Sequence, residues 1–462
     1  MTSSFNNIKK VYFLGIGGIG MSALARYFNH EGLPVSGYDR VESVLTRKLT
    51  EEGISIHYND CPESLKQLNK DQTLVVYTPA IPKDLKESLY LEENGFDLRK
   101  RSEVLGMISE RLKTCAVSGT HGKTTVSTML AHIFKNSELD CTAFLGGVSK
   151  NYGTNFLTSS TSKWMVAEAD EFDRSFLHLL PEIAVVTAMD ADHLDIYGTK
   201  SALIDAFNQF LSQVKPGGKM IVKKGLPVCE SSCKQGTLYS YALEDNYADF
   251  YAENIISQKE SYCFDLVYPD GKIKGIHLNY PGLIYVENAV AASSIALLAG
   301  IDESSIVMAL NTYKGVKRRF DIRLHNSDYI LIDDYAHHPG EIKATVYSVR
   351  KMYPGQRITG IFQPHLYSRT ADFAEGFAEE LSKLDEVILL DIYPAREKPI
   401  PGVSSKIIYD RLTCKEKMII KKEELLKRAE TLKHGIILMM GAGDIDLLVD
   451  PIEKLLCRKT ND

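Results

Sequence analysis

Residues 114–125 read TCAVSGTHGKTT. A short apolar run, Thr114 to Val117, feeds the turn Gly119-Thr120-His121-Gly122-Lys123-Thr124-Thr125, and helical spacing follows through Phe134. Strand, glycine turn and helix in that order predict a phosphate-binding loop. Successive backbone N–H groups at a helix N-terminus wrap a polyphosphate, Lys123 adds a point charge, and Thr124 offers a hydroxyl to Mg²⁺. ATP is the expected guest. The loop is a shortened variant, because Val117 stands five positions before Gly122, where the full pattern has glycine. Lys123 is expected to face solvent and to contribute charge rather than packing.

Upstream, Val11 to Leu14 runs into Gly15-Ile16-Gly17-Gly18-Ile19-Gly20, with helical spacing from Met21 to Phe28. Gly15, Gly17 and Gly20 fit G-x-G-x-x-G, and Asp39 follows a second strand, Pro34 to Tyr38. That pattern suits a nicotinamide dinucleotide or a uridine diphosphate equally well. A third strand, Thr73 to Tyr77, ends on Thr78-Pro79-Ala80, at the strand edge where open α/β sheets bind ligands. A dehydrogenase needs only the first glycine cluster. A ligase acting on a nucleotide-linked substrate needs both, so two phosphate sites favour the ligase.

Downstream of the phosphate loop, Glu168-Ala-Asp170-Glu171-Phe-Asp173 follows one strand and Asp190-Ala-Asp192-His193-Leu-Asp195 the next. Carboxylates and hydroxyls suit Mg²⁺, and a neutral histidine suits a second ion where two metals neutralise a transferring phosphoryl group. Solvated acidic loops are the plain alternative. A helix is expected at Glu287 to Ala299, stopped by Gly300. After Arg318-Arg319, strands are expected at Tyr329 to Ile332, Arg357 to Phe362, Glu386 to Leu390 and Gly435 to Met440, with helices at Glu341 to Met352 and Ala371 to Leu384. Two polar clusters end strands of this segment, Asp333-Asp334-Tyr335-Ala336-His337-His338-Pro339 and Gln363-Pro364-His365-Leu366-Tyr367-Ser368-Arg369. For His337 and His338, helix capping competes with direct catalysis.

The bulk numbers agree with a multidomain enzyme. A chain of 462 residues exceeds one ordinary core, and 44% apolar content suffices for several. The net charge of −6 gives no general attraction to nucleic acid or to an anionic membrane. No apolar run approaches the roughly 18 residues of a membrane span, and Met1 to Lys10 has no signal-peptide core, so a cytoplasmic protein is expected. Eight scattered cysteines are too sparse for a disulfide scaffold, and Cys229 with Cys233 lacks a second pair for zinc.

Taken together, GIGGIGMSA, GTHGKTT, EADEFDRSF, ADHLDIYG, RRFD, DDYAHHP and FQPHLYSRT, in this order, resemble the Mur ligase family. The resemblance runs from Val11 to about Asp446 and is closest to the branch that adds L-alanine. It implies an α/β protein of three domains: an N-terminal Rossmann-like domain (1–110) for the UDP sugar, a central P-loop ATPase-like domain (111–316) for ATP, and a C-terminal Rossmann-like domain (317–462) that recruits the amino acid. It implies ATP-dependent ligation of L-alanine to the lactyl carboxylate of UDP-N-acetylmuramate, with Mg²⁺, by a monomer or homodimer.

By the same resemblance, Gly15, Gly17, Gly18, Gly20 and Asp39 serve the UDP sugar, and Gly119 to Thr125 with Asn288 serve ATP. Arg318 reaches ATP phosphates and Asp334 the ribose. Thr124 and Glu168 share one Mg²⁺, Glu168 and His193 a second, and His365 and Arg369 lie near the amino acid. The chain departs from relatives at Ile284 and Tyr285, ahead of Asn288, and at Leu366, where some relatives carry arginine. The sequence leaves three rivals: a recycling ligase that attaches a preformed peptide to the same UDP sugar, a nicotinamide dehydrogenase, and a non-catalytic nucleotide-binding regulator.

Overall fold

A computed structural model describes residues 5, 7–190, 194–258, 260–395 and 397–459. The first sheet has β1 (Lys10–Leu14), β2 (Val35–Tyr38), β3 (Ser55–His57), β4 (Thr73–Tyr77) and β5 (Asp97–Lys100), in the order β3-β2-β1-β4-β5. All of its pairings are parallel. The register sets Leu14 opposite both Tyr38 and Tyr77, so these three strands end level and bring Gly15, Asp39 and Thr78 together. Val11, Phe13, Leu74 and Val76 are fully or almost fully buried against Leu24 and Phe28 of the helix Ile19–His30. Each such side chain contributes about 1.5–3 kcal/mol by leaving water.

The second sheet has ten strands: β6 (Lys113–Ser118), β7 (Thr142–Phe144), β8 (Phe156–Leu157), β9 (Trp164–Glu168), β10 (Ile183–Val186), β11 (Lys219–Lys223), β12 (Thr237–Ala242), β13 (Phe250–Gln258), β14 (Ser261–Tyr268) and β15 (Gly271–Leu278). Central β6 lies between β9 and β10, with Val117 opposite Glu168 and Ser118 opposite Val186. Those registers line up the phosphate loop, the acidic loop after β9 and Thr187. The third sheet has β16 (Asp321–His325), β17 (Tyr329–Asp334), β18 (Ile358–Phe362), β19 (Glu386–Leu389), β20 (Glu416–Ile419) and β21 (Gly435–Met440), in the order β16-β17-β21-β18-β19-β20. Only β16 runs antiparallel to its neighbour.

Packing divides the chain into two compact units. One comprises residues 1–256, 263–279 and 286–314, and so contains the first two sheets; the other comprises 257–262, 280–285 and 315–462. No helix among the described residues is long and apolar enough to cross a membrane.

Two helices differ from the sequence reading. The helix expected from Glu287 begins at Leu283, and the one expected over 371–384 spans Tyr367–Leu381. Tyr367, Ser368 and Arg369, part of the polar cluster expected ahead of the helix, form its first turn. Leu366, with φ 69° and ψ 139°, turns the chain into that helix.

Candidate active site

Gly122 caps the helix Lys123–Lys135 with φ +83°, a left-handed conformation that glycine adopts without penalty. A methyl group on Gly119 would collide with Thr187 Oγ1, so the loop rests on the end of β10. Thr187 Oγ1 donates to the carbonyls of Ser118, at 3.1 Å, and of His121. The Asp190 N–H donates to Thr120 Oγ1 at 3.1 Å. Thr124 and Thr125 are buried in the first turn of the helix. A methyl on Gly122 would stand 3.1 Å from Asn288 Oδ1, which places Asn288 against the phosphate loop.

Lys123 does not face solvent as the sequence reading expects. Its Nζ donates to Gly119 O at 2.7 Å and to Glu171 Oε1 at 2.8 Å, and its side chain is 14% exposed against 0% for Glu171. Burial alone lowers the pKa of this ammonium. The Glu171, Asp170 and Glu168 carboxylates outweigh burial, and the group is held above its ordinary range. Glu171 moves upward, because burial disfavours its charge more than Lys123 favours it. Its own motif was legible in the sequence, but its role as the lysine's partner was not.

Glu168 is the last residue of β9 and is half-buried. A methyl on Gly146 would collide with its carboxylate, so this glycine leaves room for the acid to turn toward the loop. Thr124 and Glu168 offer hard oxygen donors of the kind Mg²⁺ prefers. No cluster of three or more His, Cys, Asp or Glu side chains poised for a metal occurs among the described residues. His193 lies outside them.

At the first glycine turn, the Gly17 N–H donates to Asp39 Oδ2 at 2.7 Å. Gly15 has φ +84°, and a methyl there would meet Thr78 Cγ2 at 2.8 Å. Gly18 precedes the helix Ile19–His30, whose second residue is Gly20. The turn is tied to the second sheet: Asn155 Nδ2 donates to Ile19 O at 2.6 Å, and Arg26 Nη1 donates to Asn155 Oδ1 at 2.5 Å. Arg26 also forms an ion pair with Glu52 at 2.7 Å. Arg26 and Asn155 carry no motif signal, and only the structure reveals their role.

In the other unit, His365 stacks on Tyr393 with centroids 5.7 Å apart and meets the edge of His337 at 6.0 Å. Burial, reinforced by His337 and Arg369, pushes His365 down from 6.5 to about 4, so its imidazole is neutral at neutral pH. Burial also lowers His337. His338 is an N-cap of the helix Pro339–Met352, accepting from the Gly340 N–H at 3.4 Å.

Asp334 accepts from the N–H groups of Phe320 (3.0 Å) and Ala336 (2.8 Å) and from Thr345 Oγ1 (3.3 Å). Burial pushes Asp334 up to about 6 and its neighbour Asp333 up to about 7. Arg318 has φ +62°; its Nη2 donates to Gly441 O at 2.6 Å, and its Nη1 pairs with Asp446 at 3.3 Å. Both groups assigned by resemblance to ATP thus also hold their own domain together. The Tyr285 ring packs between Tyr280, at 4.5 Å, and Phe320, at 6.3 Å.

Three family models match this chain: a Mur ligase family catalytic domain over residues 10–113, a Mur ligase middle domain over 117–296 and a Mur ligase glutamate ligase domain over 318–443. The chain belongs to the Mur ligase family. A UDP-N-acetylmuramate–L-alanine ligase of Phocaeicola vulgatus is 50% identical to it over 457 residues, covering 98% of this chain and 99% of the relative. The crystal structure of a UDP-N-acetylmuramate–alanine ligase of Thermotoga maritima matches with a TM-score of 0.81 and 26% identity, covering 98% of this chain and 99% of the other. A murein peptide ligase of Psychrobacter arcticus shares the fold, with a TM-score of 0.71 at 22% identity, covering 97% and 98%. The three α/β sheets of this Mur ligase follow the three matched segments in order.

Proposed function

We propose that this Mur ligase joins L-alanine to the lactyl carboxylate of UDP-N-acetylmuramate, giving UDP-N-acetylmuramoyl-L-alanine, ADP and phosphate, an early step of peptidoglycan assembly. The observation that carries this reading is the pair of strand–glycine turn–helix sites within one compact unit, one with a lysine and one without. Near-complete coverage of an L-alanine ligase at 50% identity supports it. A dehydrogenase would have no use for the second loop, and a peptide-recycling ligase is supported only by a shared fold.

A carboxylate oxide is too poor a leaving group for an amine to displace, so activation comes first. The lactyl carboxylate oxygen attacks the γ-phosphorus of ATP and ADP departs, leaving an acyl phosphate. The backbone of Gly119 to Thr125 holds the phosphates, and Lys123 offsets the charge that spreads over the phosphoryl oxygens. Thr124, Glu168 and His193 are the residues that would hold Mg²⁺, which supplies further charge neutralisation when bound. The amine of L-alanine then attacks the acyl carbon, phosphate leaves, and the amine gives up a proton. A neutral His365 can accept that proton, and Arg369 can pair with the alanine carboxylate. Gly15, Gly17, Gly18, Gly20 and Asp39 serve the UDP sugar, and Asn288, Arg318 and Asp334 serve ATP. On this reading residues 1–110, 111–316 and 317–462 are the UDP-sugar, ATP and amino-acid domains. The reaction, which consumes ATP, takes place in the cytoplasm on this reading.

ADP release is the test, measured with each substrate omitted in turn and with a tripeptide in place of L-alanine. Release that needs both UDP-N-acetylmuramate and free L-alanine is expected. With the lactyl carboxylate labelled by heavy oxygen, one labelled atom should appear in phosphate; unlabelled phosphate would refute the acyl phosphate.

A further inference from the structure

Arg101 opens the helix Arg101–Arg111, where a cation opposes the helix dipole. Nothing among the described residues explains that placement, because the half-buried guanidinium has no hydrogen bond or ion pair with any of them. The side chain lies between the two phosphate sites. On one side, a methyl on Gly20 would stand 3.0 Å from Cδ and 3.0 Å from Nη1 of Arg101, so the arginine covers the start of the helix that follows the first glycine turn. On the other, Arg101 lines a small cavity with Glu168, Asp170, Ser175 and Phe176, next to the acidic loop beside Lys123. Both walls belong to one compact unit, pinned by Arg26 and Asn155.

We infer that Arg101 binds the substrate carboxylate that ATP activates, aligning its oxygen for attack on the γ-phosphorus. This rests on the ligase reading above. The reacting carboxylate must lie between its own nucleotide's diphosphate and the ATP phosphates, and there it approaches Glu168 and Asp170. Like charges in a half-buried cleft repel, so an anion entering it needs a fixed cation. Arg101 is the cationic side chain lining that cavity, and a guanidinium fork matches a carboxylate in two parallel hydrogen bonds. Glycine at position 20 leaves the space the fork occupies.

The test compares UDP-N-acetylmuramate with UDP-N-acetylglucosamine, which carries the same diphosphate and lacks the lactyl group. Titration calorimetry on wild type, Arg101→Gln and Arg101→Lys, each checked for an unchanged melting temperature, gives both affinities, and ADP release gives kcat and KM. Wild type should prefer the lactyl sugar. Arg101→Gln should lose that preference by about ten-fold or more with unchanged affinity for the glucosamine compound, and its kcat should fall by about 100-fold. Arg101→Lys should recover part of the preference, since a point charge replaces the fork. Equal weakening toward both sugars would assign Arg101 to the diphosphate and overturn the inference, as would a preference that survives in Arg101→Gln. A wild-type protein that does not distinguish the sugars overturns the ligase reading and this inference with it.

Discussion

Lys123 and Glu171 show how one ion pair joins fold and chemistry. Removing one member of a buried pair leaves the other charged without compensation, at about 3–5 kcal/mol. Lys123→Ala should therefore abolish ADP release and also lower the urea midpoint, while Lys123→Ala with Glu171→Gln should regain the midpoint and stay inactive. If the single variant unfolds like wild type, the pair has no structural role. His365 carries a pH dependence whose sign follows from its depression to about 4. The unfolded imidazole binds its proton near pH 6.5, above the folded one, so stability is full above that pH and is lost as pH falls toward 4. Urea midpoints at pH 7 and pH 5 should differ more for wild type than for His365→Gln; equal differences would rule this out. His132, also lowered to about 4 by burial, keeps part of the slope in the variant.

At the scale of elements, strand registers decide which loops meet. Level ends of β6, β9 and β10 bring the phosphate loop, the acidic loop and Thr187 into one neighbourhood, and Gly146 after β7 makes room for Glu168. The three atoms nearest the added methyl of Gly146→Ala all belong to the Glu168 carboxylate, the end of a flexible side chain, so the protein should fold normally. Glu168 must swing away, and the Mg²⁺ concentration for half-maximal ADP release should rise by about ten-fold at a nearly unchanged melting temperature. An unaltered Mg²⁺ requirement would exclude Glu168 as a ligand. The helix Tyr367–Leu381 shows where sequence patterning misleads. Its first turn is polar and carries Arg369, so the apolar spacing emerges only later in the segment.

For the whole molecule, the division into two packed units predicts how the chain unfolds. The first two sheets share a unit and one buried core, and Arg26, which is 8% exposed and bonded to Asn155 and Glu52, adds a polar tie between them. Scanning calorimetry should resolve two transitions, one for residues up to about 314 and one for the rest. Arg26→Ala removes the donor to the buried Asn155 Oδ1 and should lower the first transition by several degrees, leaving the second unmoved. A shift of both transitions together would show that the units unfold as one.

The sequence alone determined the local chemistry of this protein. Glycine turns after apolar runs, a lysine at a helix start and acids at strand ends are short-range patterns, fixed by backbone sterics and strand or helix periodicity. They located β1, β2 and β4 of the first sheet, β6, β9 and β10 of the second and β17, β18, β19 and β21 of the third to within a few residues, and they set the glycine turn between β6 and its helix, but they did not mark β3, β5, β7, β8, β16 or β20. Only the tertiary structure decided which charges meet. Lys123 and Glu171 are 48 residues apart, and Arg26 and Asn155 are 129 apart. Arg101 reaches Gly20 and the cavity beside Glu168 across two different sheets. Such pairings depend on register and layer packing, which no spacing within a single segment encodes.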